Sequence, residues 1–92
     1  MRTEAQYQVE AIRKSLRLLG QRMDWETAAH RLEEFNAMIE DGDLWSDPAR
    51  AQKLMRERQA LLDAIGVYKD IDQELRDTVD LIELGRSEGA HV

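Results

Sequence analysis

Three groupings of side chains in this 92-residue sequence have types and spacing that bear on chemistry. His30 lies within a helical turn of Glu33 and Glu34, beside Arg31. A metal site would need a second His or a carboxylate converging from another element. The plainer reading is a solvated histidine in an i,i+4 charge pattern. Asp70, Asp72, Glu74, Asp77, Asp80 and Glu83 form an acidic run, with Lys69 and Arg76 among them. Helical periodicity scatters these acids around an exposed face, which argues for a solvated surface over a cation site. Acids near a helix carboxyl end oppose its macrodipole, so this surface suits a basic partner at some local cost. Arg50, Lys53 and Arg56 step by three, with Arg58 beyond, and form a slowly turning basic stripe. Its functional reading is a contact with phosphate or an acidic protein; its plain reading is surface solubility.

No catalytic motif is present. The sequence has no G-x-S-x-G, no P-loop, no Gly-rich phosphate cradle, no H-E-x-x-H and no EF-hand pattern. The absence of cysteine removes disulfides, thiolate chemistry and Cys-based zinc sites. We therefore expect no catalytic, cofactor-binding or metal-ligating residue, and no enzyme activity. A net charge of −6 and a pI near 4.8 oppose a nonspecific nucleic-acid binder, whose affinity comes from neutralising phosphates. Residues 1–6 are polar, and no run approaches the roughly 20 apolar residues needed to span a bilayer. A cytoplasmic protein without a membrane segment is expected.

The elements that must position these groups are helical. Charged residues make up 35% and aromatics 5%, the profile of a helical bundle or coiled coil. The first helix is expected from about Thr3 to Leu19, with Thr3 and Gln6 at capping-box spacing and Gly20 as its stop. Ala5, Val9, Ile12, Leu16 and Leu19 line one face. The second is expected to start at Asp24 as N-cap and to end at Asp41-Gly42-Asp43. Trp25, Ala28, Ala29, Leu32, Phe35 and Ile39 form its stripe. Asp47-Pro48 opens the third, since aspartate is a preferred cap and proline at the first position loses no bond. That helix should run to about Leu84 with Gly85 as its stop, along a seam of Leu54, Leu61, Ile65, Tyr68, Ile71, Leu75, Val79 and Ile82. Gly66 is a weak link inside it.

These lengths predict an all-α fold: an antiparallel three-helix bundle with two short helices packed on one long helix. Residues 1–85 would form the helical domain and 86–92 a flexible tail, with His91 in it. The apolar face toward Leu84 should lack cover from this chain alone, leaving it to another helix, another chain or fraying. Leu44-Trp45 should plug the end of the bundle, the alternative being an exposed binding anchor. Trp25 should be core.

Along nearly its whole length, and most densely from Met23 to Glu57, the sequence resembles the amino-terminal helical domain of the bacterial peptide chain release factor 2 family. The residues that carry the likeness are Asp24-Trp25-Glu26, Arg31-Leu32-Glu33-Glu34, Asp43-Leu44-Trp45, Asp47-Pro48 and Arg50-Ala51-Gln52, with Leu81-Ile82-Glu83-Leu84-Gly85 near the end. Ala49 departs from the acid common after that proline. The resemblance implies a cytoplasmic role in UGA- and UAA-directed translation termination, by ribosome docking rather than peptidyl-tRNA hydrolysis. The family's Ser-Pro-Phe codon-reading and Gly-Gly-Gln catalytic motifs are absent from this sequence. Implied partners are the ribosomal GTPase-associated region with its stalk-base protein and RNA, release factor 3, and the remaining domains of the factor. Arg50, Lys53, Arg56 and Arg58 are the residues expected to meet the ribosome or another partner. The alternative is a stand-alone helical interaction module that dimerises through its long helix.

Overall fold

The computed structural model describes residues 3–90, with side chains through residue 85. It consists of α1 (Glu4–Met23), α2 (Trp25–Glu40), a short 3₁₀ turn (Gly42–Ser46) and α3 (Pro48–Ala90). All regular structure among the described residues is helical. Two of the expected helix starts are built from the expected caps. Thr3 Oγ1 accepts from the Gln6 amide at 3.3 Å, and Gln6 Oε1 accepts from the Thr3 amide at 2.8 Å. Each bond satisfies a donor that has no partner within the helix. Asp47 Oδ1 accepts from the Arg50 amide at 3.3 Å, with Pro48 as the first residue of α3.

The expected stop at Gly20 and the expected cap at Asp24 are both corrected. α1 runs through Gly20 to Met23, and Asp24 ends it in the left-handed conformation at φ 54°, its N–H directed at the carbonyls of Gln21 and Gly20. The Asp24 side chain makes no capping bond to α2, because the residue is engaged in closing α1. Gly20 serves packing instead. A Cβ there would meet Tyr68 Cε2 at 3.1 Å. Its missing side chain lets the Tyr68 ring lie against α1 and stack on Trp25, with ring centroids 3.8 Å apart and planes 16° from parallel. Arg31 completes the junction by donating from Nη2 to the Met23 carbonyl, one of the acceptors left over at the end of α1.

With only Asp24 between them, α1 and α2 have no room to fold back on each other. The expected antiparallel pairing of the two short helices is therefore replaced by an end-to-end arrangement along α3. Val9 and Arg13 of α1 face Val79 and Ile82 of α3, and Trp25 meets Tyr68. Farther along, Met23, Arg31 and Phe35 face Leu61 and Ala64, and Asn36 meets Arg58. The descending partners on α3 make both short helices antiparallel to it. The result is a helical hairpin with one broken arm. Its extents of 69 × 21 × 17 Å match a rod two helices wide, each helix being about 10 Å across. The radius of gyration is 19.8 Å, against about 12 Å for a compact domain of this size.

A rod two helices wide has no enclosed centre. Among the described residues the buried ones are Ala28, Leu44, Ala51, Leu54 and Leu61, all in the half formed by α2, the 3₁₀ turn and the first part of α3, and α1 buries none. Phe35 and Ile39 pack on the cluster of Leu44, Ala51 and Leu54. Ala29, assigned to the α2 stripe, is exposed, because it turns about 100° away from Ala28, which takes the inward position. The seam of α3 from Ile71 to Ile82 is half-buried under α1 rather than bare, while Leu84 is exposed as expected and so is Leu81. Gly85 does not stop α3, whose backbone continues helical to Ala90; His91 and Val92 lie outside the described residues.

Two pairs of substitutions test this reading. Gly66 sits within unbroken helix with open space where a Cβ would go, so Gly66→Ala should stabilise by about 1 kcal/mol. Gly20→Ala should show no such gain, since its methyl presses on Tyr68. Equal rises in Tm for both would contradict the packing role of Gly20. Asp24→Gly should raise the melting temperature by relieving about 1 kcal/mol of left-handed strain, whereas Asp24→Val should lower it.

Candidate docking surface

The basic stripe does not stay together. Arg50, Lys53 and Arg56 are exposed on the first turns of α3. Arg58 turns inward, is half-buried, and donates from Nε to Asn36 Oδ1 of α2 at 2.8 Å. Two residues are about 200° of helix rotation, so Arg56 and Arg58 fall on nearly opposite faces. Arg58 therefore braces α2 on α3. Residues 48–56 hold three cations and no acid, within a chain of net charge −6. The adjoining turn carries Asp41, Asp43 and Asp47, so these cations stand beside exposed acids.

Leu44 and Trp45 divide the role expected of the pair. Leu44 is 3% exposed and plugs the end of the hairpin against Ala51 and Leu54. Trp45 is 53% exposed, which corrects its expected place as part of the plug. Adjacent residues of a 3₁₀ turn point about 120° apart, so one of two neighbours faces out when the other faces in. Trp45 is nevertheless held. Its Nε1–H donates to the Ile39 carbonyl at 2.9 Å, satisfying an acceptor in the last turn of α2. The 3₁₀ turn beneath it is pinned by Asp41 Oδ1, which accepts from the Asp43 amide, and by Ser46 Oγ, which donates to the Asp43 carbonyl.

Trp45, Pro48, Ala51, Gln52, Met55 and Arg56 line an open groove of about 410 Å³. Met55, 38% exposed, is part of its lining. Sequence reasoning missed Met55 and missed Arg31. Met55 lies outside the α3 seam, and only the outward placing of Trp45 makes it part of a shared groove. Arg31 was grouped with its charged neighbours, whereas its guanidinium reaches back eight residues to Met23.

The other groupings take their plain roles. His30 Nε2 lies 2.8 Å from Glu34 Oε1 in an exposed i,i+4 pair. Asp72 pairs with Arg76 at 3.0 Å, and Asp77 accepts from Gln73 at 2.9 Å, all on the surface of one helix. Among the described residues no group of three or more His, Asp or Glu is placed to hold a metal ion, and no helix is long and apolar enough to cross a membrane.

Comparison with known proteins gives a consistent result. The chain is 64% identical over 88 residues to peptide chain release factor 2 of Ruegeria sp. (strain TM1040), covering 96% of this chain and 24% of that protein. It is 58% identical over 88 residues to peptide chain release factor 2 of Roseobacter denitrificans, and 45% identical over 89 residues to that of Paramagnetospirillum magneticum. The chain thus spans about a quarter of the length of the curated relatives it matches, and the match lies in their amino-terminal region. No family model matches, and no solved structure matches. The chain is homologous to the amino-terminal region of peptide chain release factor 2.

Replacing Trp45 by Phe keeps the ring and removes the N–H bonded to Ile39. We expect Trp45→Phe to lower stability by about 1 kcal/mol, read by thermal melting, with helix content unchanged. A Trp45→Phe chain that melts with the unaltered one would show that the bond does not hold the ring in solution.

Proposed function

We propose that this chain, homologous to the amino-terminal region of peptide chain release factor 2, is the ribosome-docking arm of such a factor in UGA- and UAA-directed translation termination. Peptidyl-tRNA hydrolysis belongs to the rest of the factor, and this arm is not an enzyme. The observation that carries the reading is the similarity along 96% of the chain to proteins of that name. Two physical features agree with it. The rod places a held tryptophan and three exposed cations at the end built from the 3₁₀ turn and the start of α3. Its grooves are open, suited to contact with a macromolecular surface rather than to enclosing a small substrate.

On this reading the chain acts in the cytoplasm. Arg50, Lys53 and Arg56 face the GTPase-associated region of the ribosome, with its stalk-base protein and RNA. Arg58 supports that surface from within. Release factor 3 and the remaining domains of the factor are further partners. A second reading is a stand-alone interaction module that self-associates through α3. The exposure of Leu81 at 68% and Leu84 at 56% favours it.

The two separate in one set of experiments. The chain should sediment with stop-programmed ribosomes and compete with the full-length factor, while releasing no peptide by itself. Peptide release by this chain alone would refute the docking reading. A concentration-dependent dimer without ribosome affinity, measured by analytical ultracentrifugation, would replace it with the second.

A further inference from the structure

We propose that the groove between Trp45 and Met55 receives a large apolar side chain from an acidic peptide segment, and that a carboxylate of the same segment pairs with Arg56. The inference rests on the docking reading for the setting in which such a segment is met; its chemistry comes from the groove itself. Trp45 presents its ring rather than a polar handle, because its only N–H is occupied by the Ile39 carbonyl. That bond also holds the indole before any partner arrives, so little side-chain freedom is lost on binding. Pro48 and Ala51 line it without long side chains, Met55 supplies an adaptable part of the lining, and the 410 Å³ between them accommodates a Leu- or Phe-sized group. A fixed, half-exposed tryptophan beside a methionine has the character of an interface anchor.

Charge selects the class of partner. Arg56 stands on the rim, exposed, and makes no ion pair or side-chain hydrogen bond within the described chain. Its guanidinium is free to take a carboxylate in a two-pronged bond. The rest of the lining is uncharged. Nucleic acid fits less well, because a phosphate backbone needs several cations along one track. Arg50 and Lys53 do not line the groove; at about 100° per residue they lie well round the helix from it. One rim cation beside an apolar slot matches a carboxylate beside an apolar side chain.

The 92-residue chain contains two tryptophans, Trp25 and Trp45, so labelling with 5-fluorotryptophan yields two ¹⁹F resonances, assigned with Trp45→Phe. Three probes are titrated: a synthetic amphipathic peptide of Leu, Phe and Glu, its counterpart with Lys for Glu, and an oligouridine RNA. We expect the Trp45 signal to shift saturably with the acidic peptide alone, while Trp25, stacked on Tyr68, stays in place. Arg56→Glu, an exposed change checked for retained helix by circular dichroism, should weaken that binding at least tenfold. No response of Trp45 to the acidic peptide, an unchanged affinity in Arg56→Glu, or a response to RNA in its place would each overturn the proposal. Ribosome sedimentation separates this failure from that of the docking reading. A chain that sediments while Trp45 ignores the peptide sinks the groove alone; a chain that binds the peptide but not ribosomes leaves the groove standing and removes docking.

Discussion

The stack of Trp25 on Tyr68 is the contact on which the rest of this molecule depends. It lies where α1 ends and α2 begins, and it anchors that break to the middle of the long helix. A single left-handed residue, Asp24, separates the two short helices. Without a fixed point on α3 at that joint, α1, which buries no residue, would lose its anchor, whereas α2 is held besides by Asn36 on Arg58 and by Phe35 and Ile39 on the core. Gly20 removes the side chain that would keep Tyr68 at a distance, and Arg31 ties the start of α2 to the last carbonyl of α1. The register of α1 on the carboxyl half of α3 follows from this place, and that of α2 on the amino half from it together with the Asn36–Arg58 bond and the Leu44, Ala51 and Leu54 cluster.

The consequence is a molecule organised along a line. About half of its described apolar residues are half-covered, and full burial is confined to the half formed by α2, the 3₁₀ turn and the first part of α3, where Ala28, Leu44, Ala51, Leu54 and Leu61 lie. Its accessible surface of 7246 Å² exceeds the roughly 5500 Å² typical of a compact monomer of its mass. Surface, not interior, is what such a rod offers to a partner. The better-packed end is also the end that presents Trp45 and the exposed cations of α3. That pairing has a physical basis, since a binding group loses less freedom on contact when packing beneath it is already tight.

The chain is homologous to the amino-terminal region of release factor 2 and folds as a helical hairpin. The likeness in sequence concerns which residues are present; the hairpin concerns where they sit. Arg50, Lys53 and Arg56 remain together on the exterior, while Arg58, equally basic, is drawn into a bond with Asn36. A basic stripe in sequence is therefore not a basic stripe in space beyond one turn of drift.

What the sequence determined by itself is local. Thr3 with Gln6, and Asp47 with Pro48, mark helix starts because each satisfies orphan backbone donors within a few residues, and the α3 seam is readable because helical periodicity needs no partner to be expressed. Composition likewise determined the all-helical class. The tertiary structure alone decided what depends on contacts across the rod. Gly20 serves as a packing notch rather than a stop because Tyr68, far along the chain, needs the space, and Asp24 takes the turn that Gly20 leaves unused. The end-to-end order of α1 and α2, the outward face of Trp45 and the inward turn of Arg58 have the same origin: each is settled by a neighbour distant in sequence, and local propensity carries no information about which neighbour that is.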